Sequence, residues 1–421
     1  MSAFKRALAF FLCICLVFCC ACNKKTPPPD KETSVNEGDT RPTTPQVITE
    51  DVDASKGLEA TLSDEQLSRA FSYSFLSEQE KRIYRIMLNM VQHLTEGWVD
   101  VGEIEINHSA VVARAFRAMT NDFPEYYWMP SSYYITVDKN NVAVAFKRNE
   151  AEDGYGFTKE EIESNKLEFD DAIERIMDKV NKGKTDFEKE VLIHDLLCKA
   201  VVYDSEFDRY GEGTVYSAYG ALVNGHAVCE GYARAFKLLC YYAGIECILI
   251  TGDSKNVGHM WNMVKLDGNW YHVDVTWDDL RSEPHHTYLN LTELQIRADH
   301  DIDITYADVP SNLAAQGNSY NFCVPPAESE SLNYFIKKGL LIKDDPIVPV
   351  ADEIVARFKA GEHRAEFLFE NQTVADDFKT NYQSYVVEIQ NKCIEKTLKL
   401  KFKLKTLSFP GDTCVIFFVE V

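Results

Sequence analysis

The sequence has few basic residues for its acidic content, and this shortage excludes several classes of partner. Its 421 residues include 44 lysines and arginines against 66 aspartates and glutamates, which leaves a formal net charge of −22. So acidic a chain repels phosphate backbones, and nucleic acid is therefore not an expected partner. It also repels a negatively charged lipid surface, so that binding to a membrane would require a covalent anchor.

Motifs for metals and cofactors are also missing from the sequence. Beyond residue 22, no two cysteines have the CxxC spacing of a zinc ribbon. No group of carboxylates has the spacing of a calcium loop, and no glycine-rich loop has the pattern that cradles phosphate. The adjacent His285 and His286 are interpreted as a solvated pair. The sequence therefore predicts neither a metal nor a cofactor.

The first 22 residues have the order of an export signal. Two basic residues precede an apolar run of 14 residues, 7–20, which is too short to span a bilayer comfortably. Ala21 then precedes Cys22, as in bacterial lipoprotein signals, in which that cysteine becomes the lipidated first residue. Cys22 is the predicted lipidation site, with Cys19, Cys20 and an ordinary cleaved signal as alternatives. The expected location is a membrane surface facing the periplasm or the cell exterior.

Composition and periodicity divide the chain into five segments. Residues 1–21 form the signal, and residues 22–60 form a proline-containing tether without aromatic residues, which is too poor in apolar side chains to fold. Residues 61–150 are predicted to form an N-terminal α+β region, 155–325 a central core and 330–421 a small C-terminal α+β domain. These boundaries follow the predicted helices and strands described next.

The two flanking regions have a similar predicted order of elements. In the first, a helix over 76–94 opens with the capping box of Ser77 and Glu80 and precedes three further elements. These are a strand at 103–107, a helix at 109–122 and a hairpin pairing 133–137 with 142–146. In the second, a strand at 365–369, a helix at 374–389 and strands at 398–407 and 413–421 follow the same order. Sequence identity between the regions is slight, so two unrelated α+β units are preferred over a duplication.

The central region combines three helical patterns with a strand and a hairpin. Helices are predicted over 159–182 and 187–203, the second capped by Thr185 with Glu188 completing a capping box. A third helix is predicted to begin near Cys229 and to end before Gly244, a residue type that favours helix termination. A strand at 247–251 follows, and then a hairpin over 259–274 around the turn residues 267 and 268.

This hairpin brings an imidazole and a carboxylate together. With a two-residue turn, Trp261 faces Asp274 and His259 faces Thr276, so these side chains lie on one face of the hairpin. His259 and Asp274 then become diagonal neighbours, within reach of each other. A carboxylate that orients an imidazole is half of a nucleophile–base–acid triad. Cys229 supplies a candidate nucleophile, because a helix N-terminus favours the thiolate and offers an N–H to an oxyanion.

The sequence around these three residues resembles the transglutaminase-like superfamily, and in particular the bacterial transglutaminase-core proteins found on exported lipoproteins. Strong resemblance covers about residues 185–280. It is carried by three motifs: SAYGALVNGHAVCEGY (217–232), GHMWN (258–262) and WYHVDVTWD (270–278). Cys229, His259 and Asp274 fall on the catalytic positions of that family. The resemblance implies an α+β fold with a papain-like core, in which the helix carrying the nucleophile packs on an antiparallel sheet, flanked by smaller α+β units.

Several neighbouring residues have competing interpretations. His272 shares the predicted face with Asp274 and is a rival base, although a packed structural histidine is the more common reading. Tyr219 and His226 are candidates for an oxyanion donor or a lining residue, with the segment around Tyr203 as another source of the donor. Trp261 and Trp277 are expected to pack beside the site and exclude water, although ordinary core packing would also explain them. Core positions account for the remaining helix and strand cysteines, Cys198, Cys240 and Cys247.

These observations lead to one functional expectation and one alternative from another class. The expectation is a membrane-anchored thiol enzyme that acts on amide bonds of proteins or peptides, by hydrolysis or by acyl transfer to an amine. Its substrates would include cell-envelope proteins, and it would use no cofactor. The alternative is a catalytically silent binding module that keeps the same fold.

Overall fold

The computed structural model describes residues 58–130, 132–149, 152–153, 157–205, 214–279, 284–308, 320–397, 402–408 and 413–420. The predicted signal, the predicted lipidation site Cys22 and nearly all of the predicted tether lie outside these residues. Within the described ranges, no helix is both long enough and apolar enough to cross a membrane. Helices and mainly antiparallel sheets alternate along the chain, which confirms the predicted α+β class.

The N-terminal region contains three helices and a small antiparallel sheet with strand order β1-β3-β2 and β4 paired to β3. The predicted capping box is present, since the Ser77 hydroxyl accepts from the Glu80 N–H while the Glu80 carboxylate accepts from the Ser77 N–H. The elements are α1 (Asp64–Arg69), a 3₁₀ turn (Ser72–Phe75), α2 (Glu78–His93), β1 (Val99–Glu103), α3 (His108–Asp122), β2 (Ser132–Asp138), β3 (Asn141–Asn149) and β4 (Glu152–Asp153).

The strand predicted at 103–107 is wrong, because the strand ends where that prediction begins. Val99 and Val101 are the buried positions of β1, and Val99 pairs with Val144 of β3. Asn107 adopts a left-handed conformation with φ of 55° directly before α3, which is incompatible with a continuing strand. The buried valines, and not the later alternating residues, therefore decide which stretch joins the sheet.

The central region contains one five-stranded antiparallel sheet with strand order β10-β9-β8-β7-β11. Helix α6 packs against β7 and β8, and it ends at Gly244, whose φ of +79° is readily adopted by glycine. The elements are α4 (Lys159–Val180), α5 (Asp186–Ala200), β5 (Val202–Tyr203), a 3₁₀ turn (Thr214–Tyr216), a π turn (Gly220–Asn224), β6 (His226–Ala227), α6 (Cys229–Ala243), β7 (Glu246–Ser254), β8 (Val257–Leu266), β9 (Asn269–Val273), α7 (Val275–Asp278), β10 (Leu289–Leu291), α8 (Glu293–Ile296) and β11 (His300–Ile302).

The predicted hairpin is present with the expected two-residue turn. Leu266 pairs with Asn269, and Met263 pairs with His272. The strand is shorter than predicted, however, because β9 ends at Val273 and Thr276 lies in the short helix α7. Asp274 ends the strand by capping this helix through its side chain. The predicted pairing of Thr276 with His259 is therefore wrong.

A smaller correction concerns the start of α5. The Thr185 hydroxyl caps this helix by accepting from the Glu188 N–H at 3.1 Å, as predicted. The Glu188 carboxylate accepts from the Lys184 N–H at 2.7 Å instead of from Thr185, so the capping box is displaced by one residue.

The C-terminal region contains a four-stranded sheet with order β12-β13-β15-β14, covered by helices. The single helix predicted over 374–389 is two helices with Asn381 between them. The predicted strand at 398–407 begins in the described residues at Phe402. The elements are α9 (Tyr334–Lys338), β12 (Leu341–Ile342), α10 (Ile347–Lys359), β13 (Arg364–Phe369), α11 (Gln372–Thr380), α12 (Tyr382–Thr397), β14 (Phe402–Ser408) and β15 (Thr413–Glu420).

Candidate active site

Cys229 is the first residue of α6 and is half-buried. Val228 holds the N-cap position, and no side chain caps this end of the helix by a hydrogen bond. The first backbone N–H groups of a helix have no partner within the helix, and the helix dipole adds partial positive charge there. The thiol of Cys229 therefore lies where a thiolate is stabilised and where an N–H can face a developing oxyanion.

Gly231 explains how the chain places Cys229 at this position. A Cβ atom at residue 231 would lie 2.4 Å from the Val215 carbonyl oxygen and 2.8 Å from the Ala227 Cβ. The same upstream segment is fixed by a hydrogen bond from the Val228 N–H to the Val215 carbonyl at 3.0 Å. Only glycine permits this close approach, so the motif glycine sets the position of the helix start.

His259 and Asp274 form a short imidazole–carboxylate contact. His259 lies on β8, and its Nε2 is 2.6 Å from Asp274 Oδ2. The two side chains are 8% and 1% exposed, so the contact is shielded from water. Asp274 Oδ1 accepts from the Trp277 N–H at 3.1 Å, which fixes the carboxylate at the start of α7. The structure thus brings together the two residues that the hairpin register predicts to be neighbours.

The protonation of His259 is set by its two partners. Burial favours the neutral ring, but the charge and hydrogen bond of Asp274, followed by the hydrogen bond and charge of Cys229, outweigh it and raise the pKa of His259 to about 10. Since Nε2 contacts Asp274, Nδ1 is the ring nitrogen left for Cys229. Burial would raise the pKa of Asp274, but His259 and His300 hold that pKa well below its usual range. The site therefore favours an imidazolium on His259 beside the Asp274 carboxylate.

The two predicted tryptophans flank the imidazole. The Trp261 ring is stacked on His259 with centroids 5.9 Å apart, and the Trp277 ring meets it edge-on at 6.3 Å. Trp261 is 1% exposed, while Lys255 lies over Trp277 with its Nζ 3.7 Å from the ring centroid. These rings surround His259 with apolar surface, which strengthens its interaction with Asp274.

His300 is a site residue that the sequence does not reveal. It lies on β11, and its Nε2 is 3.0 Å from Asp274 Oδ2, the same oxygen that contacts His259. Its Nδ1 is 2.7 Å from Asp299 Oδ1. No motif or periodicity singles out this histidine, because it reaches the site only through the pairing of β11 with the distant strand β7. The adjacent Asp299 is the only local feature of the sequence that points to an imidazole–carboxylate contact here.

His272, the rival base, has a structural environment. It is fully buried, and its Nδ1 accepts from the Trp261 indole N–H at 3.1 Å. Burial, followed by the positive charges of Arg297 and His300, lowers the pKa of His272 to about 3. A neutral histidine that serves as an acceptor to tryptophan is a packing residue, which favours His259 as the base.

The remaining candidates are separated by their surroundings. Tyr219 is 6% exposed and stacks on Tyr127 with ring centroids 4.5 Å apart, which favours a packing role over an oxyanion role. His226 lies on β6, three residues before Cys229, where it pairs with Val202.

Tyr203, in contrast, is 41% exposed and lies near the reacting groups. Burial and the negative charges of Cys229 and Asp274 raise its pKa to about 12, so its hydroxyl stays protonated as a donor.

Two histidine–carboxylate groups in the described residues could hold a metal ion: His259 with Asp274 and His300, and His194 with Asp195 and His286. The first coincides with the candidate triad, and its hydrogen bonds account for it without a metal. The second group contains His286, and the interpretation of His285 and His286 as a solvated pair is wrong. Both are buried, at 4% and 6% exposure, and both contact Glu366.

Comparisons with known proteins find partial similarities to this chain. The Kyphoscoliosis peptidase of Mus musculus is 29% identical over 116 residues, which are 25% of this chain and 18% of that protein. The Lim and transglutaminase domain protein ltd-1 of Caenorhabditis elegans is 39% identical over 61 residues, 11% of this chain and 8% of that protein. The chain thus covers less than a fifth of these curated relatives. A solved structure described as a TGase aligns with a TM-score of 0.25 and 16% identity, over 37% of this chain and 46% of that chain.

The matched family covers the segment that contains all three candidate residues. The description of that family is Transglutaminase-like superfamily, and the match extends over residues 174–275. This range includes α6, the β8–β9 hairpin and the start of α7. Residues 174–275 are therefore similar to the transglutaminase-like superfamily.

Proposed function

We propose that this domain is a thiol enzyme that transfers the acyl group of an amide through a thioester at Cys229. The observation that carries the proposal is that His259 contacts both other residues. It interacts with Cys229 by a hydrogen bond, and its Nε2 is 2.6 Å from Asp274 Oδ2. A nucleophile, a base and an orienting acid in this order are the parts of an acyl-transfer triad. The transglutaminase-like match supports the same chemistry.

The reaction begins with the thiolate of Cys229 and the imidazolium of His259. Sγ attacks the amide carbon and forms the C–S bond, and the C–N bond breaks as His259 donates its proton to the leaving amine. Water or an amine then attacks the thioester and loses a proton to His259. The C–S bond breaks, which releases the product and restores the thiolate. Asp274 keeps Nδ1 directed at Cys229 and stabilises the imidazolium throughout.

Two donors are available for the oxyanion that forms on the carbonyl oxygen. The backbone N–H of Cys229 lies at the uncapped start of α6. The Tyr203 hydroxyl is the second donor in this proposal, and its electrostatic interaction with Cys229 supports this role. Two converging donors at this position would stabilise the tetrahedral intermediate.

Peptide hydrolysis is the first activity to test, with amine transfer as the competing second step. Among the similar proteins, those named Kyphoscoliosis peptidase support peptide substrates. The two outcomes share the thioester and differ only in the acceptor. Adding a primary amine to a peptide-cleavage assay separates them, since an amine-transfer enzyme would form the amide adduct at the expense of the free acid.

A selective alkylation experiment tests the triad itself. Cys229 and Cys323 are both half-buried, and burial raises the pKa of the Cys323 thiol, which makes Cys323 a matched control. Iodoacetamide near neutral pH should modify Cys229 at least about tenfold faster than Cys323, as mapped by mass spectrometry. The His259→Ala protein should lose this preference, and Cys229→Ala should abolish amide cleavage.

The result that would contradict the enzyme proposal is equally specific. If Cys229 reacts no faster than Cys323, or if His259→Ala leaves the rate unchanged, the thiolate–imidazolium pair is absent. A catalytically silent binding module would then be the better description of the domain.

We further propose that the chain is exported and anchored by a lipid on Cys22. The support is the order of the first 22 residues, in which a basic start, an apolar run and Ala21 precede Cys22. An acidic chain with net charge −22 would otherwise be repelled by anionic lipid. The flanking α+β regions would then contact the substrate or the envelope. Metabolic labelling with a radioactive fatty acid should mark the wild-type chain and not Cys22→Ala, and labelling of both would exclude Cys22.

A further inference from the structure

We propose that His194, Asp195 and His286 form a binding site for a divalent transition metal of the zinc class. The first two residues lie on α5, and His286 lies in the segment before β10. Their ligand atoms lie within 4.8 Å of one another. This group is separate from the Cys229 site, and the proposal does not depend on acyl transfer.

One carboxylate oxygen lies at the centre of the group. Asp195 Oδ1 is 3.1 Å from His194 Nδ1 and 2.9 Å from His286 Nε2. The two imidazole rings are stacked with centroids 5.2 Å apart and planes 30° from parallel. Two imidazole nitrogens and one carboxylate oxygen are a common ligand set for zinc, which binds each at about 2.0–2.2 Å.

The outer ring nitrogens provide a second, independent observation. His194 Nε2 is 3.1 Å from Asp278 Oδ2, and His286 Nδ1 is 2.5 Å from Glu366 Oε2. Histidines that bind metals almost always donate their other ring N–H to such an acceptor, which fixes the tautomer and the ring orientation. Asp278 is itself held in place, since both of its oxygens are 3.0 Å from the Tyr288 N–H. Both inner nitrogens are thereby directed at Asp195.

A bound metal is compatible with the contacts around the group. An ion at its centre would lie between Asp195 Oδ1 and the two inner ring nitrogens. The outer hydrogen bonds to Asp278 and Glu366 would stay in place and would hold both rings in the orientation that ligation requires.

The exposure of the group fits a metal site that is accessible from one side. The side chains of His194 and His286 are 0% and 7% exposed, whereas that of Asp195 is 24% exposed. Water can therefore reach the fourth coordination position from the Asp195 side. Because Glu366 belongs to β13, the bound metal would connect α5 of the central region to the C-terminal sheet through His286.

Metal analysis of the full chain tests this site. The purified protein, incubated with Zn²⁺ and then dialysed, should contain about one zinc per chain by elemental analysis. The His286→Asn and Asp195→Asn proteins should lose most of that zinc. His285→Gln is the matched control, since His285 is also buried and contacts Glu366 but does not belong to the group of three ligands, and it should keep the metal.

A second variant tests whether the metal sits in the other histidine–carboxylate group. His300→Gln alters the group at Asp274 and should keep the zinc. Loss of zinc in His300→Gln, with retention in His286→Asn, would overturn the proposal. Failure of the wild-type chain to retain stoichiometric zinc would overturn it as well.

Two measurements on the wild-type chain keep the test valid if variants fail to fold. Co²⁺ should replace zinc and give the visible absorption bands of nitrogen and oxygen ligation, and their absence would count against the site. Removal of the metal by a chelator should lower the Tm by about 5 °C, and restored zinc should reverse this change. An unchanged Tm with bound zinc would show that the metal does not connect the two regions.

Discussion

His259 and His300 contact the same oxygen of Asp274, at 2.6 Å and 3.0 Å. Their ring centroids are 5.5 Å apart and their planes are tilted by 50°, so one carboxylate is shared by two neighbouring imidazoles. Burial acts against a charge on His300, but its hydrogen bonds to Asp274 and Asp299 outweigh burial and raise its pKa. In the proposed mechanism, His300 therefore positions Asp274. It also competes with His259 for the negative charge of this carboxylate.

Substitutions at His300 should separate these two effects. His300→Gln can still donate to Asp274 but removes the positive charge that opposes a proton on His259. We expect nearly unchanged kcat and an alkaline limit of activity at higher pH. His300→Ala removes the donor as well and should lower kcat about tenfold, or ~1.4 kcal/mol. The measurement is the pH profile of kcat for each variant, and identical profiles for Gln and Ala would indicate simple packing.

The pKa of His259 predicts where activity and stability decline at high pH. Its pKa is about 10, above the ordinary 6.5, so the imidazolium is lost as the pH rises through 10. The pairing with Asp274 thus stabilises the fold fully below pH 6.5 and progressively less up to about pH 10. Amide cleavage should decline over the same upper range, because His259 then has no proton for the leaving amine. Replacing Asp274 by Asn should move this decline to lower pH and reduce kcat by about 10³-fold.

A wild-type pH profile without an alkaline decline near 10 would contradict this assignment of the acid. An Asp274→Asn profile that declines at the same pH as the wild type would show that the carboxylate does not set the proton affinity of His259. Thermal unfolding of the two proteins across the same pH range controls for loss of the fold.

The hairpin could be predicted from sequence because its register depends on a local turn. Residues 267 and 268 fix the pairing of Leu266 with Asn269, and the alternation of faces then brings His259 near Asp274. The end of β9 could not be read in this way. Asp274 accepts from the Trp277 N–H, and this single cap converts a run typical of a strand into helix α7.

Long-range contacts account for what sequence reasoning missed. His300 reaches Asp274 because β11 pairs with β7, some 50 residues earlier in the chain. His286 is buried because Glu366, from the C-terminal sheet, lies against it. Neither partner has a fixed spacing from its histidine, so no local pattern could reveal them. The strand before α3 was misplaced for a related reason, since pairing with Val144 selects Val99 over the later residues.

We expect that replacing Gly231, the glycine of α6, by any residue with a side chain destabilises the protein. In Gly231→Ala the new methyl group would lie 2.4 Å from the Val215 carbonyl, so the segment around 215 must move away from α6. We expect a loss of about 2 kcal/mol in the free energy of unfolding, together with slower alkylation of Cys229. Gly258→Ala is the control, because its Cβ would meet no atom closer than 4.0 Å, and it should change stability by less than about 0.5 kcal/mol. Equal urea midpoints for the two variants would disprove the steric argument.

We expect the buried positive charge of Lys237 to stabilise the packing of α6 against α3. It is 6% exposed, and its Nζ donates to the Asn121 carbonyl at 2.5 Å. The neighbouring Asp122 carboxylate accepts from the Ser72 and Tyr73 N–H groups. Burial raises the pKa of Asp122, and the positive charge of Lys237 is the largest effect that opposes this rise. Lys237→Met keeps much of the buried chain but leaves Asp122 without this cation, which should cost about 3 kcal/mol.

A double-mutant cycle separates charge pairing from packing at this contact. Adding Asp122→Asn to Lys237→Met removes the uncompensated charge, so the pair of substitutions should cost at least about 1 kcal/mol less than the sum of the single changes. Urea unfolding of the four proteins gives this coupling directly. Strict additivity would mean that Lys237 stabilises the fold through its apolar stem and its bond to Asn121 alone. The positive coupling expected here would instead make the orientation of α6, the helix that begins at Cys229, depend on a charge supplied by α3.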